Sequence, residues 1–85
     1  MYSIVWSPKS LDQLASLEKD LAKRIVKRME QISFTPYHFA EHLTDVQVWK
    51  IRIGDYRVIL DIDEAKKEIH ILKVGHRKNV YDAVK

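Results

Sequence analysis

The chain has 85 residues, a 46% hydrophobic and 32% charged composition, a formal charge of +3 and a pI near 9.2. That length fits one domain with a small core and leaves no room for a second site-bearing lobe, and the composition is that of a folded globular protein rather than a disordered tail or a membrane span. Cysteine is absent, which excludes a disulfide framework, a thiolate zinc site and a cysteine nucleophile.

Residues 2–6 form a short β-rich run with no basic leader or long apolar stretch, so a secretory signal is not expected and the cytoplasm is the expected compartment. Ser7-Pro8 then gives a helix start, because a serine oxygen can cap free backbone N–H groups and proline suits the first helical position. Leu11, Leu14, Leu17 and Leu21 recur at helical spacing, and Ala22, Ile25, Val26, Met29 and Ile32 continue the stripe after a break near residues 18–20. The pattern predicts a helical hairpin ended by Phe34-Thr35-Pro36, where proline removes a backbone donor. Residues 37–45 show no period and predict a loop or an irregular turn of helix.

The period then changes to two. Over residues 46–53, Trp49, Ile51 and Ile53 share one face and Val48, Lys50 and Arg52 the other; over residues 56–62, Tyr56, Val58, Leu60 and Ile62 oppose Arg57, Ile59 and Asp61. Gly54-Asp55 between them suits a two-residue type II′ turn, with glycine supplying the positive φ. That turn pairs Ile53 with Tyr56, Ile51 with Val58 and Trp49 with Leu60, so the apolar faces agree. A polar turn at residues 63–67 leads to a third strand over 68–74, and Val80, Tyr81 and Val84 suit a short C-terminal helix. The expected fold is α+β: an N-terminal strand, a helical hairpin and a three-stranded antiparallel meander, forming one sheet with the helices on one face.

The same register places Arg52 opposite Arg57, with Lys50 two positions along. Like charges facing across strands cost roughly 0.2–1 kcal/mol. Either both guanidinium groups splay into water, helped by Asp61 or Glu68, or the trio Lys50, Arg52 and Arg57 holds an anion such as a phosphodiester. Further on, Gly75-His76-Arg77-Lys78-Asn79-Val80-Tyr81-Asp82 adds more basic groups, an imidazole and a phenol.

The run Val48-Trp49-Lys50-Ile51-Arg52-Ile53-Gly54-Asp55-Tyr56-Arg57-Val58-Ile59-Leu60, followed by Val74-Gly75-His76-Arg77 and by Val80-Tyr81, resembles the core of RelE toxins in the RelE/ParE superfamily. An initial strand and helical hairpin precede that core in the family too. The resemblance implies a type II toxin that binds the ribosomal A site and cuts messenger RNA without a metal or other cofactor. It also implies a RelB-like antitoxin as partner, laid as a helix or strand over the sheet and hairpin. By the same resemblance, a strand-two basic group, Lys50 or Arg52, helps deprotonate the ribose 2′-hydroxyl, Arg57 stabilises the charged phosphate, Arg77 assists the leaving 5′-oxygen, and Tyr81 stacks on or orients a base. Arg52 stands where some members carry a second lysine, and arginine does not lose a proton at neutral pH. Histidine titrates near 6.5 and free lysine near 10.4, so His76 is a further candidate for the acid or base duty; otherwise it is a strand-end histidine bonded to backbone.

Lys23, Arg24, Lys27 and Arg28 form a basic band on the second predicted helix, which reads either as a solvated face or, with Lys78, as an RNA-backbone contact. His38-Phe39-Ala40-Glu41-His42 matches a short zinc-protease pattern, but it follows Pro36 in an unpatterned segment, and a surface loop is expected. Trp6 and Trp49 are expected in the core. Rival functions on the same fold are a ParE-type, non-enzymatic inhibitor of DNA gyrase and an inactive RNA-binding module.

Overall fold

A computed structural model describes residues 1–43 and 48–76. Strand β1 (Ser3–Trp6) leads into helix α1 (Pro8–Ala15) and helix α2 (Lys19–Ile32); a one-turn helix α3 (Pro36–Phe39) and strand β2 (Glu41–His42) precede β3 (Trp49–Ile53), β4 (Tyr56–Asp63) and β5 (Glu68–His76). The strands make one five-stranded sheet in the order β1-β5-β4-β3-β2. The expected C-terminal helix, like Arg77, Lys78 and Tyr81, lies outside the described residues.

Local chemistry accounts for the element ends. Ser7 caps α1 by accepting the Ser10 N–H at 3.1 Å, with Pro8 at the first helical position. Gly54 takes φ +59° while Asp55 keeps a negative φ, the type II′ combination. The hairpin register is the predicted one: Ile53 faces Tyr56, Arg52 faces Arg57, Ile51 faces Val58 and Trp49 faces Leu60.

Ile25, Met29 and Ile32 of α2 pack on one face of the sheet against Ile51, Val58, Leu60, Ile69 and Ile71, all of them essentially without exposed surface. Trp6, Trp49, Leu14, Leu17 and Leu21 close the margins of this core. Leu11, counted in the apolar stripe, is instead exposed. Only Leu11 and Leu14 of that stripe lie on α1, and the side chain this helix buries fully is Ser10.

Two features go beyond the sequence reading. β1 joins β5 in parallel, Ser3 beside Glu68 through Trp6 beside Ile71, so the sheet is mixed. The segment expected as a loop supplies α3 and then β2, which pairs Glu41 with Lys50 and His42 with Trp49.

Candidate nucleic-acid interface

Because α2 covers the face that carries Ile51, Val58 and Leu60, the alternate residues of each strand point to the other, outer face. At the hairpin end these are Lys50 and Arg52 from β3 and Arg57 from β4, with Arg52 directly opposite Arg57. On its other side Arg57 faces Gly75 of β5, which offers no side chain to crowd the guanidinium. Arg57 is 8% exposed, a low value for a permanent cation, and its Nη1 donates to the Tyr56 carbonyl at 3.2 Å. Lys50 Nζ lies 3.7 Å from Glu41 Oε2, a contact that depends on β2 and therefore escaped the sequence reading. Arg52 is exposed. Ile59, between Lys50 and Lys73 on this face, is only 3% exposed.

The predicted site residues divide by location. Lys50, Arg52 and Arg57 share the outer face. His76 pairs with Tyr56 and its ring meets the Tyr56 ring edge-on at 5.6 Å, which puts it on the α2 side of the sheet end. The α2 cations lie across the core from the hairpin trio, and they form two rows. Lys23 and Lys27 line a groove of about 610 Å³ between α1 and α2, floored by Leu14, Leu17, Ala22 and Val26. Arg24 points toward the hairpin tip, while Arg28 donates to Gln31 Oε1 at 3.2 Å and lies 4.9 Å from the centre of the Phe39 ring.

His38 sits on α3 whereas Glu41 and His42 sit on β2, so the zinc-like pattern is split between a helix and a strand, and His42 packs on Trp49 instead. Among the described residues the ligand-type atoms that converge within 4.8 Å belong to Asp63, Glu68 and His70, and His70 Nε2 already meets Glu68 Oε1 at 3.0 Å.

The opposite end of the sheet neutralises its own charge. Glu64 accepts hydrogen bonds from the Tyr2 hydroxyl at 2.8 Å and the Tyr37 hydroxyl at 2.7 Å and pairs with the Lys67 ammonium. Lys67, followed by the two phenols, draws the Glu64 carboxyl down to about 2. The bond to Glu64, with some burial, pushes Tyr37 up to about 12. Tyr37 also meets Tyr2 and Trp49 edge-on.

This mixed sheet, with a helical hairpin packed on one face and Lys50, Arg52 and Arg57 on the other, has the fold of the RelE/ParE superfamily of toxins. Residues 4–81 match the family described as the ParE toxin of type II toxin-antitoxin systems, and the chain belongs to that family. The structure is similar to a chain of the Mycobacterium tuberculosis RelBE2 toxin-antitoxin complex, with a TM-score of 0.84 and 23% identity over 89% of this chain and 98% of that one. It is similar to a chain of the archaeal RelE–RelB complex from Pyrococcus horikoshii, with a TM-score of 0.74 and 27% identity over 92% and 97%. The isolated Escherichia coli RelE toxin shares the fold at a TM-score of 0.74 and 17% identity over 99% and 95%. No curated protein matches the chain in sequence. No helix among the described residues is long and apolar enough to cross a membrane.

Proposed function

We propose that this toxin is a ribosome-dependent endoribonuclease whose reaction centre lies on the outer face at the β3–β4 hairpin. The observation that carries the reading is Arg52 facing Arg57 with Lys50 beside them, away from the helices. Gathering like charges on one face costs stability, and a bound phosphodiester turns that cost into attraction.

In the reaction the ribose 2′-oxygen attacks the neighbouring phosphorus, the bond to the 5′-oxygen breaks, and the products are a 2′,3′-cyclic phosphate and a 5′-hydroxyl. Lys50 is the candidate to take the 2′-hydroxyl proton. Arg57, held by the Tyr56 carbonyl, is placed to neutralise charge on the phosphate, and Arg52 adds a second fork. The departing 5′-oxygen takes up a proton from water; Arg77 remains the candidate to offset its charge, and Tyr81 the candidate for base stacking. His76 can serve in proton transfer only where the substrate reaches round to the Tyr56 side, and an unchanged pH–rate profile in His76→Gln removes it. The nucleophile is internal to the substrate, so positioning and electrostatics suffice without a metal.

The relatives in complexes come with RelB antitoxins. A cognate antitoxin here would find an apolar groove between α1 and α2 rimmed by Lys23 and Lys27, suited to an amphipathic helix with acidic flanks. A second reading, a non-enzymatic gyrase inhibitor, is favoured by the description of the matching family. Mapping nucleic-acid damage after induction separates the two. Breaks within translated messages are expected, and DNA breaks with intact messages would contradict the nuclease.

A further inference from the structure

β5 carries one residue too many for its partner. Ile59 and Leu60 are consecutive on β4, yet they face Lys73 and Ile71, so Leu72 is inserted between them. Ile69 and Ile71, both without exposed surface, point into the core. Strict alternation would send Lys73 into that same core and Val74 out of it. The insertion reverses both: Val74 enters the core at 3% exposure, and Lys73 stands on the outer face opposite Ile59. Bulges re-aim side chains in this way and interrupt the ladder where they occur.

Here the interruption is held by α1 and the residue that caps it. The Ser7 N–H donates to the Ile71 carbonyl at 3.0 Å, the Ser7 hydroxyl to the Leu72 carbonyl at 3.3 Å, and the Val74 N–H to Gln13 Oε1 at 2.7 Å. This docking of α1 on the edge of β5 brings Lys9 beside Lys73. Burial, then the neighbouring Lys9 ammonium, hold Lys73 below the usual lysine range. Lys73 is two residues from Gly75, the cross-strand partner of Arg57. Lys73 and Arg57 are therefore diagonal neighbours roughly 7–8 Å apart, within reach of long side chains, and Gly75 puts no side chain between them.

We infer that the Leu72 bulge builds a second phosphate seat, formed by Lys73 and Lys9, for the RNA phosphate adjacent to the one held at Arg52 and Arg57. The seat rests on the RNA reading of the outer face given above. Its members are positioning residues: they fix where the strand lies and touch no reacting atom. A phosphate between two crowded ammonium groups replaces repulsion with two charge-assisted hydrogen bonds.

The test measures binding of the whole protein to a short single-stranded RNA with every 2′-hydroxyl methylated, so that binding is read without cleavage, across a sodium chloride series. Lys73→Met and Lys9→Gln are each expected to lower the slope of log affinity against log salt by about 0.7, and the double variant by about 1.4. Lys73→Arg is expected to keep the parent slope. On programmed ribosomes the double variant should raise KM several-fold with kcat near the parent value. Thermal melts establish that each variant is folded, and Lys9→Gln, at an exposed position, tests the seat if Lys73→Met does not fold. Parent-like slopes in folded variants, or no binding of this RNA by the parent, overturn the seat. Lowered slopes in the variants of a parent that cuts no message leave the seat standing and sink the nuclease; a parent that cuts, with unaltered slopes in the variants, does the reverse.

Discussion

Where β4 begins, Arg52 stands opposite Arg57 and Lys73 lies beside Lys9; where β4 ends, Glu64 collects two phenol hydroxyls and the Lys67 ammonium, and His70 meets Glu68. The second end is made of complementary charges and ties β1, the turn after β4 and α3 together. The first concentrates one sign of charge on one face, which lowers stability and raises attraction for a polyanion. In a domain this small, with a correspondingly small margin of stability, such an arrangement is what the proposed RNA-binding end requires.

The largest effect is expected from Arg57→Ala, which should lower cleavage on programmed ribosomes by about 10²–10³-fold. Because Arg57 is nearly buried and bonded to the Tyr56 carbonyl, the loss must be read beside a thermal melt, and a folded variant within a few-fold of the parent rejects the assignment. Arg52→Gln should separate the two roles of the basic end. Cleavage falls, while stability in denaturant titration rises by roughly 0.2–1 kcal/mol as a facing like charge is removed. A variant that loses both activity and stability would make Arg52 a structural residue.

The self-neutralised end predicts a smaller and opposite behaviour. Glu64 has a folded pKa depressed from 4.5 to about 2, so its contribution to stability is fully present above about 4.5 and is lost as the pH falls toward 2. Glu64→Gln should remove that part of the acid dependence of unfolding and leave ribosomal cleavage at neutral pH unchanged. An acid unfolding profile identical to the parent's would show that the Glu64 cluster carries no such linkage.

The hairpin was legible in the sequence because Gly54 fixes the turn and alternation fixes which side chains face the core; Arg52 facing Arg57 follows from those two facts. β2 was not legible. It is two residues long, too short to show an alternation, and it forms where Glu41 and His42 meet the edge of β3. The parallel pairing of β1 with β5 joins residues more than sixty positions apart and leaves no local trace. The bulge did leave one: the buried series Ile69, Ile71, Val74 skips a beat, and reading residues 68–74 as an even strand hides Lys73 on the wrong face. Parity along β5 likewise separates His76, beside Tyr56, from Arg57, a distinction that nearness in sequence to Arg77 obscures.

The most direct measurement uses purified toxin, programmed ribosomes and a chelator in excess over any contaminating transition metal but below the magnesium that ribosomes need. We expect messages cut within the translated frame, bearing 2′,3′-cyclic phosphate and 5′-hydroxyl ends, and cutting about 10²–10³-fold slower by a folded Arg57→Ala variant. Intact messages in the presence of folded parent protein would contradict the account.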